Sequence, residues 1–233
     1  MKTIGLIGGT TWESTVTYYE TINEVVKERL GGYHSAKCVL YSIDFHEIEQ
    51  LQSRGDWGGI AALLSDKARR LEAFGADFIV LCANTMHKVA DKIQREISIP
   101  ILHVADITAR EIKGCGMNKA ILLGTKYTME EEFYIKRLAD NGVDAIVPGS
   151  AERELVNSVI FDELCFGIIS EDSKRRYLDI IGKLAAEGAQ AAILGCTELG
   201  LLIKQQDTDV RLFDTALLHA KTAALFAMGI YEY

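Results

Sequence analysis

The residues best able to do chemistry lie in three short segments, each following an apolar run: Gly8-Gly-Thr-Thr-Trp-Glu-Ser-Thr15, Cys82-Ala-Asn-Thr-Met-His87 and Gly195-Cys-Thr-Glu198. The last two carry thiols, Cys82 and Cys196, where a helix is expected to open. The dipole and free N–H groups of a helix N-terminus favour thiolate, so either thiol is a candidate to take up and return a proton. The same N–H groups, with the side chains of Asn84, Thr85 and Thr197, suit a substrate carboxylate. A single buried cysteine is more often an inert small hydrophobe. The first segment reads in two ways. It is either a turn that receives an anion, with Thr10 among the contacts, or a plain strand-to-helix turn capped by Thr11 or Ser14. It lacks the G-x-G-x-x-G spacing of a dinucleotide site.

Positioning such groups requires a scaffold, and the pattern of the chain supplies one. Short apolar runs at 4–7, 38–43, 78–81, 100–102, 120–123, 145–147, 191–194 and 210–213 alternate with helical periodicity. Tyr18, Ile22, Val25, Val26 and Leu30 recur at helical steps, as do Trp57, Ile60, Leu64, Leu71 and Phe74. Strands alternating with helices predict an α/β fold with parallel sheets. An internal repeat divides it. The stretch from Leu71 through Gly75-Ala-Asp to Cys82-Ala-Asn-Thr85 resembles that from Leu184 through Gly188-Ala-Gln to Gly195-Cys-Thr-Glu198. The expected architecture is therefore two pseudo-symmetric lobes, residues 1–98 plus 208–233 and residues 99–207, each a mostly parallel sheet flanked by helices. The active site is expected between them, at the carboxyl ends of the strands. With two prolines in the whole chain and no Ser/Gly-rich stretch, no flexible linker is expected. Matched thiol-bearing segments in both copies favour a functional reading of Cys196.

Composition narrows the partners. A formal net charge of −8 argues against nucleic acid and anionic membrane surfaces. No apolar run is long enough to span a bilayer, and the opening residues run straight into a strand, so a cytoplasmic enzyme is expected. The five cysteines are scattered, without C-x-x-C spacing, which fits reduced thiols rather than disulfides or zinc. His34, His46, His103 and His219 show no ligand spacing, no metal is expected, and His87 reads as a structural group.

The three motifs, in order and at the expected spacing over essentially the whole chain, resemble the aspartate/glutamate racemase family, most closely its broad-specificity and L-aspartate/glutamate-specific branch. The resemblance implies a cofactor-independent isomerase acting on a small amino acid, built from two α/β lobes, forming a homodimer, with one acid/base on each face of the substrate α-carbon. Cys196 matches one of these positions. The other, directly before Asn-Thr, is a thiol in the usual pattern and threonine in L-specific members; here it is Ala83, and Cys82 stands one residue early. Side chains alternate along a strand, so Cys82 is expected to point away from whatever Ala83 faces. In that case water, Thr85 or Glu198 would supply the opposite-face proton. The resemblance further implies substrate contacts from Thr125 and Thr128, although Thr128 also reads as a helix cap. Cys165 stands where aspartate-specific members carry a lysine, and Gln50 and Gln52 stand near a second basic position, which points to a neutral or broader range of side chains. The expected function is an amino-acid racemase; the alternatives are a single-cysteine decarboxylase or isomerase on the same scaffold, or a catalytically impaired amino-acid-binding homologue.

Overall fold

A computed structural model describes all 233 residues. The first part of the chain runs β1 (Ile4–Gly8), α1 (Trp12–Leu30), β2 (Cys38–Ser42), α2 (Phe45–Ser53), α3 (Trp57–Ala73), β3 (Phe78–Leu81), α4 (Ala90–Gln94) and β4 (Ile101–Leu102). It continues through α5 (Val104–Gly114), β5 (Lys119–Leu123), α6 (Lys126–Glu130), α7 (Glu132–Asp140), β6 (Asp144–Ile146), α8 (Ser150–Asp162), α9 (Glu171–Ala186), β7 (Ala191–Leu194), α10 (Leu199–Leu202) and β8 (Arg211–Asp214). Helix α11 (Thr215–Ala227) follows. Two compact units result, Met1–His103 with Ala216–Tyr233, and Val104–Thr215.

The first unit holds a four-stranded sheet in the order β2-β1-β3-β4, and the second a four-stranded sheet in the order β6-β5-β7-β8. Every pairing is parallel. The α/β class with one parallel sheet per unit is thus as the periodicity predicts, and each strand lies within one residue of its expected bounds. The inner strands β1, β3 and β7 are buried at every position. That is why they read as unbroken apolar runs rather than alternating ones: helices cover both faces of a parallel sheet. The core of the first unit gathers Ile7, Ile48, Ile60, Leu64 and Ile79, and that of the second Ile121, Val156, Ile180, Leu194 and Leu202.

Helices α1 and α3 bury the expected stripes, Tyr18, Ile22 and Val26 in one and Ile60, Leu64 and Leu71 in the other. The stripes stop short of their expected ends. Leu30 closes α1 and Phe74 caps α3, and both side chains are exposed because the chain leaves the sheet there. No helix is long and apolar enough to cross a membrane.

The two sheets match residue for residue around their centres. Ile7 pairs with Leu81 in one, and Leu123 with Leu194 in the other. Just past these pairs, Cys82 N donates to Ile7 O at 2.9 Å and Gly195 N donates to Leu123 O at 2.7 Å. Cys82 therefore corresponds to Gly195, and Ala83 to Cys196.

Candidate active site

In the second unit the chain leaves β7 through Gly195, where a Cβ would lie 2.8 Å from the Leu123 carbonyl oxygen. Only glycine permits this approach of the β5 and β7 ends. The next residues turn their polar groups on one another. The Cys196 thiol donates to Glu198 Oε2 at 2.9 Å, and Thr197 Oγ1 donates to the same oxygen at 2.8 Å. Cys196 and Thr197 are half-buried, while Glu198 is 7% exposed. On the neighbouring β5 end, Thr125 caps α6 through its extended backbone without a side-chain capping bond, and its hydroxyl lies 3.3 Å from that of Thr128. Thr128 is not the cap; it is fully buried inside α6, with its methyl about one contact away from Gly195.

The expectation that a helix N-terminus lowers the Cys196 pKa is overturned. Burial, then the charge and hydrogen bond of Glu198, raise it well above the ordinary thiol value, with a smaller push from Cys165. The reason is local. Helix α10 has four residues and begins only after Glu198. The dipole of so short a helix is weak against a carboxylate in direct contact.

The equivalent turn of the first unit is built differently. Cys82 is 2% exposed, with its sulfur 4.0 Å from Val80 O, and burial raises its pKa. Ala83, half-buried, packs against the core of this unit. Asn84 is buried, and Thr85 begins a 3-10 turn, Thr85–Val89, in place of the expected helix. Beside it, the β1 end turns through Gly9 at φ 88°, where a Cβ would meet Ile43 O at 2.1 Å. The Gly9 N–H donates to Thr15 Oγ1 at 2.8 Å. Thr10 is half-buried on this turn. Thr11 holds φ 150°, a region costing a non-glycine residue about 1–3 kcal/mol, and donates to Ser14 Oγ at 2.8 Å instead of capping the helix. Gln52 lies half-buried near the end of α2, on a helix rather than on a strand-end turn.

Two features escaped the sequence. Glu198, expected only as one source of the opposite-face proton, instead accepts from the Cys196 thiol on its own turn; a carboxylate two residues beyond a thiol was the available signal. The histidines give no ligand pattern, yet His87, His103 and His219 meet in the first unit, with ring centroids 4.6 Å apart for His87–His103 and 5.5 Å for His87–His219. His87 Nδ1 donates to the Ala83 carbonyl at 3.0 Å. His219 Nε2 donates to Leu102 O at 2.9 Å, so its Nδ1 accepts from the Tyr18 hydroxyl at 2.9 Å. These bonds fix the tautomers and tie α1 and α11 to the end of β4.

Relatives bear on this arrangement. RacX, a broad-specificity amino-acid racemase of Bacillus subtilis, is 28% identical over 161 residues, covering 67% of this chain and 67% of that protein. A crystal structure from Yersinia pestis, of a protein assigned only provisionally as an Asp/Glu racemase, shares 54% identity with a TM-score of 0.94, over 98% of this chain and 100% of that one. An aspartate racemase homologue from Pyrococcus horikoshii shares 41% identity with a TM-score of 0.87, again over 98% and 100% of the two chains. Residues 7–223 match the family described as Asp/Glu/hydantoin racemase, and the chain belongs to that family.

Proposed function

We propose that this chain is a cofactor-independent racemase of amino acids in which Cys196 takes the α-proton on one face and solvent serves the other. The observation that carries this reading is the Cys196 thiol at the carboxyl end of β7, sharing the Glu198 carboxylate with the hydroxyl of Thr197. Family membership and the racemase relatives support the reaction class.

An α-proton is weakly acidic, so the carbanion must be stabilised as it forms. Donors on the substrate carboxylate do this by accepting charge that flows from the α-carbon. In the second unit Thr125 is suited to that work, whereas Thr128 is fully buried and Thr197 gives its hydroxyl proton to Glu198; in the first unit Thr10, Asn84 and Thr85 are suited to it. Thiolate removes the α-proton: Cα–H breaks, S–H forms and the electron pair moves into the carboxylate. Return of a proton from the opposite face completes inversion. Ala83, the counterpart of Cys196, has no group for this, and Cys82 is buried away in the core. Water is the donor there, at a cost of about 10² to 10⁴ in rate relative to a positioned acid. Cys165 packs on the same apolar cluster as Cys196, which supports neutral side chains over strictly acidic ones. Five free thiols support a cytoplasmic protein, and the exposed Trp12, Val16 and Tyr19, on one face of α1, support a homodimer.

The test is proton NMR in D₂O with a panel of L- and D-amino acids. The α-proton signal disappears with the intact chain and with Cys82→Ala and survives with Cys196→Ala; no exchange with any amino acid would defeat the reading. A second reading is favoured by one observation: Cys196 holds its proton toward Glu198, as an acid does. Protonating the carbanion left by CO₂ loss needs one acid and no base. Release of CO₂ from a disubstituted malonate, without α-exchange, would establish that decarboxylase instead.

A further inference from the structure

The geometry points to Glu198 as a positioning residue for Cys196: by accepting the S–H bond on Oε2, its carboxylate aims the thiol and keeps it a proton donor until alkali removes the proton. The inference rests on the reading of Cys196 as the acid/base. Two donors converge on one carboxylate oxygen, Cys196 Sγ at 2.9 Å and Thr197 Oγ1 at 2.8 Å. At 7% exposed, Glu198 is screened less by solvent than a surface carboxylate, so its charge acts on the thiol more strongly than it would in water. The other titratable groups around the thiol are few. Cys165 comes from the 3-10 turn Leu164–Phe166, and Tyr177, whose hydroxyl donates to Val156 O at 2.7 Å, comes from α9. Glu163, near Tyr177, accepts from Ser173 Oγ. None of these meets the sulfur as closely as Glu198 does, and the raised pKa of Cys196, from burial and then Glu198, agrees in direction.

The consequence is a pH-gated base. Hydroxide takes the Sγ proton to form water, the thiolate takes the α-hydrogen as Cα–H breaks, and the electron pair enters the substrate carboxylate. In D₂O the S–H so formed exchanges with solvent and returns a deuteron. Exchange should therefore climb on an alkaline limb set by the Cys196–Glu198 pair. Thr197 tempers the limb by sharing Oε2: its hydroxyl draws charge from the oxygen that the thiol faces.

The experiment uses the full chain. Alkylation of Cys196 by iodoacetamide, followed by peptide mass spectrometry, and α-exchange in D₂O are both measured from pH 6 to pH 10. Glu198→Gln should move both limbs to lower pH by about one unit or more, raising alkylation near neutrality about tenfold. Glu198→Asp should restore much of the original profile. Thr197→Val should move both limbs the other way, since Oε2 then loses the hydroxyl that it shares with the thiol, and this variant decides the matter if Glu198→Gln does not fold. Limbs that stay where they are in Glu198→Gln, or that move to lower pH in Thr197→Val, overturn the inference. If Cys196→Ala still exchanges the α-proton, the acid/base reading falls, while the alkylation limb continues to decide the role of Glu198.

Discussion

The two units share a strand order and a pattern of strand-end hydrogen bonds, yet their corresponding turns differ in chemistry. Cys82-Ala83-Asn84-Thr85 in one stands where Gly195-Cys196-Thr197-Glu198 stands in the other. The second turn groups a thiol, a hydroxyl and a carboxylate within hydrogen-bond reach of each other. The first buries its thiol in the core and leaves an alanine at the corresponding place. A duplicated fold therefore does not impose duplicated chemistry. Strand register fixes where a side chain points, and the residue type at that point decides whether it can move a proton.

The sharpest way to break the comparison is to remove each thiol in turn. Cys196→Ala should lower α-exchange by about 10² to 10⁴, the usual worth of a positioned acid/base, whereas Cys82→Ala should leave it within about twofold. Equal losses, read by NMR in D₂O, would mean that the buried thiol reaches the substrate after all. The converse substitution adds what the first unit lacks. Ala83→Cys gives it a thiol at the position equivalent to Cys196, and inversion, followed by polarimetry or chiral chromatography, should rise by about 10² relative to the intact chain. No gain would show that water was not the limiting donor on that face.

Much of this contrast is legible in the sequence because it depends on local pattern. Phe78-Ile-Val-Leu81 and Ala191-Ala-Ile-Leu194 are apolar at every position, flanked by Gly-Ala on one side and polar residues on the other, which fixes the ends of both strands. Counting from Gly75 and Gly188 then aligns Ala83 with Cys196 from sequence alone. The state of the thiol is not legible in this way. It depends on where the Glu198 carboxylate turns and on how short α10 is, and both follow from packing. Thr128 illustrates the same limit: hydroxyl residues opening a helix look alike as caps, and only the extended backbone of Thr125 selects it over Thr128. The meeting of His87, His103 and His219 is hidden for a similar reason, since contacts across 16 and 132 residues leave no local spacing.

All five histidines of the chain belong to the first unit, so acid should separate the units. His219 is fully buried, and burial, with the nearby His87, draws its pKa from the usual 6.5 down to about 3. An unfolded chain takes up this proton near pH 6.5, whereas the folded one refuses it until about pH 3. Its contribution is therefore complete above pH 6.5 and lost as pH falls toward 3, up to about 5 kcal/mol over that span. Amide hydrogen exchange between pH 7 and pH 4 should show β1 to β4 losing protection before β5 to β8. His219→Gln should flatten the pH dependence, and simultaneous loss in both sheets would contradict the assignment.

The smallest effect tests why the two turns were built differently. Gly195 allows the β5 and β7 ends to close because a Cβ there would lie 2.8 Å from Leu123 O and 3.3 Å from the Thr128 methyl. The first of these neighbours is backbone, so it cannot rotate away, and Gly195→Ala must push the Cys196 turn outward. Overpacking of this kind costs about 1–3 kcal/mol. It should also lower exchange, because displacing a reacting group by about 1 Å can cost about 10²-fold. At the corresponding place the first unit accommodates the larger Cys82, so Cys82→Gly relieves nothing and leaves a small void. Its cost should be about 1–2 kcal/mol with exchange unchanged. Urea midpoints measured beside NMR exchange rates decide the point. Stability lost in both variants but activity lost only with Gly195→Ala would show that glycine at 195 serves the thiol beside it as well as the fold.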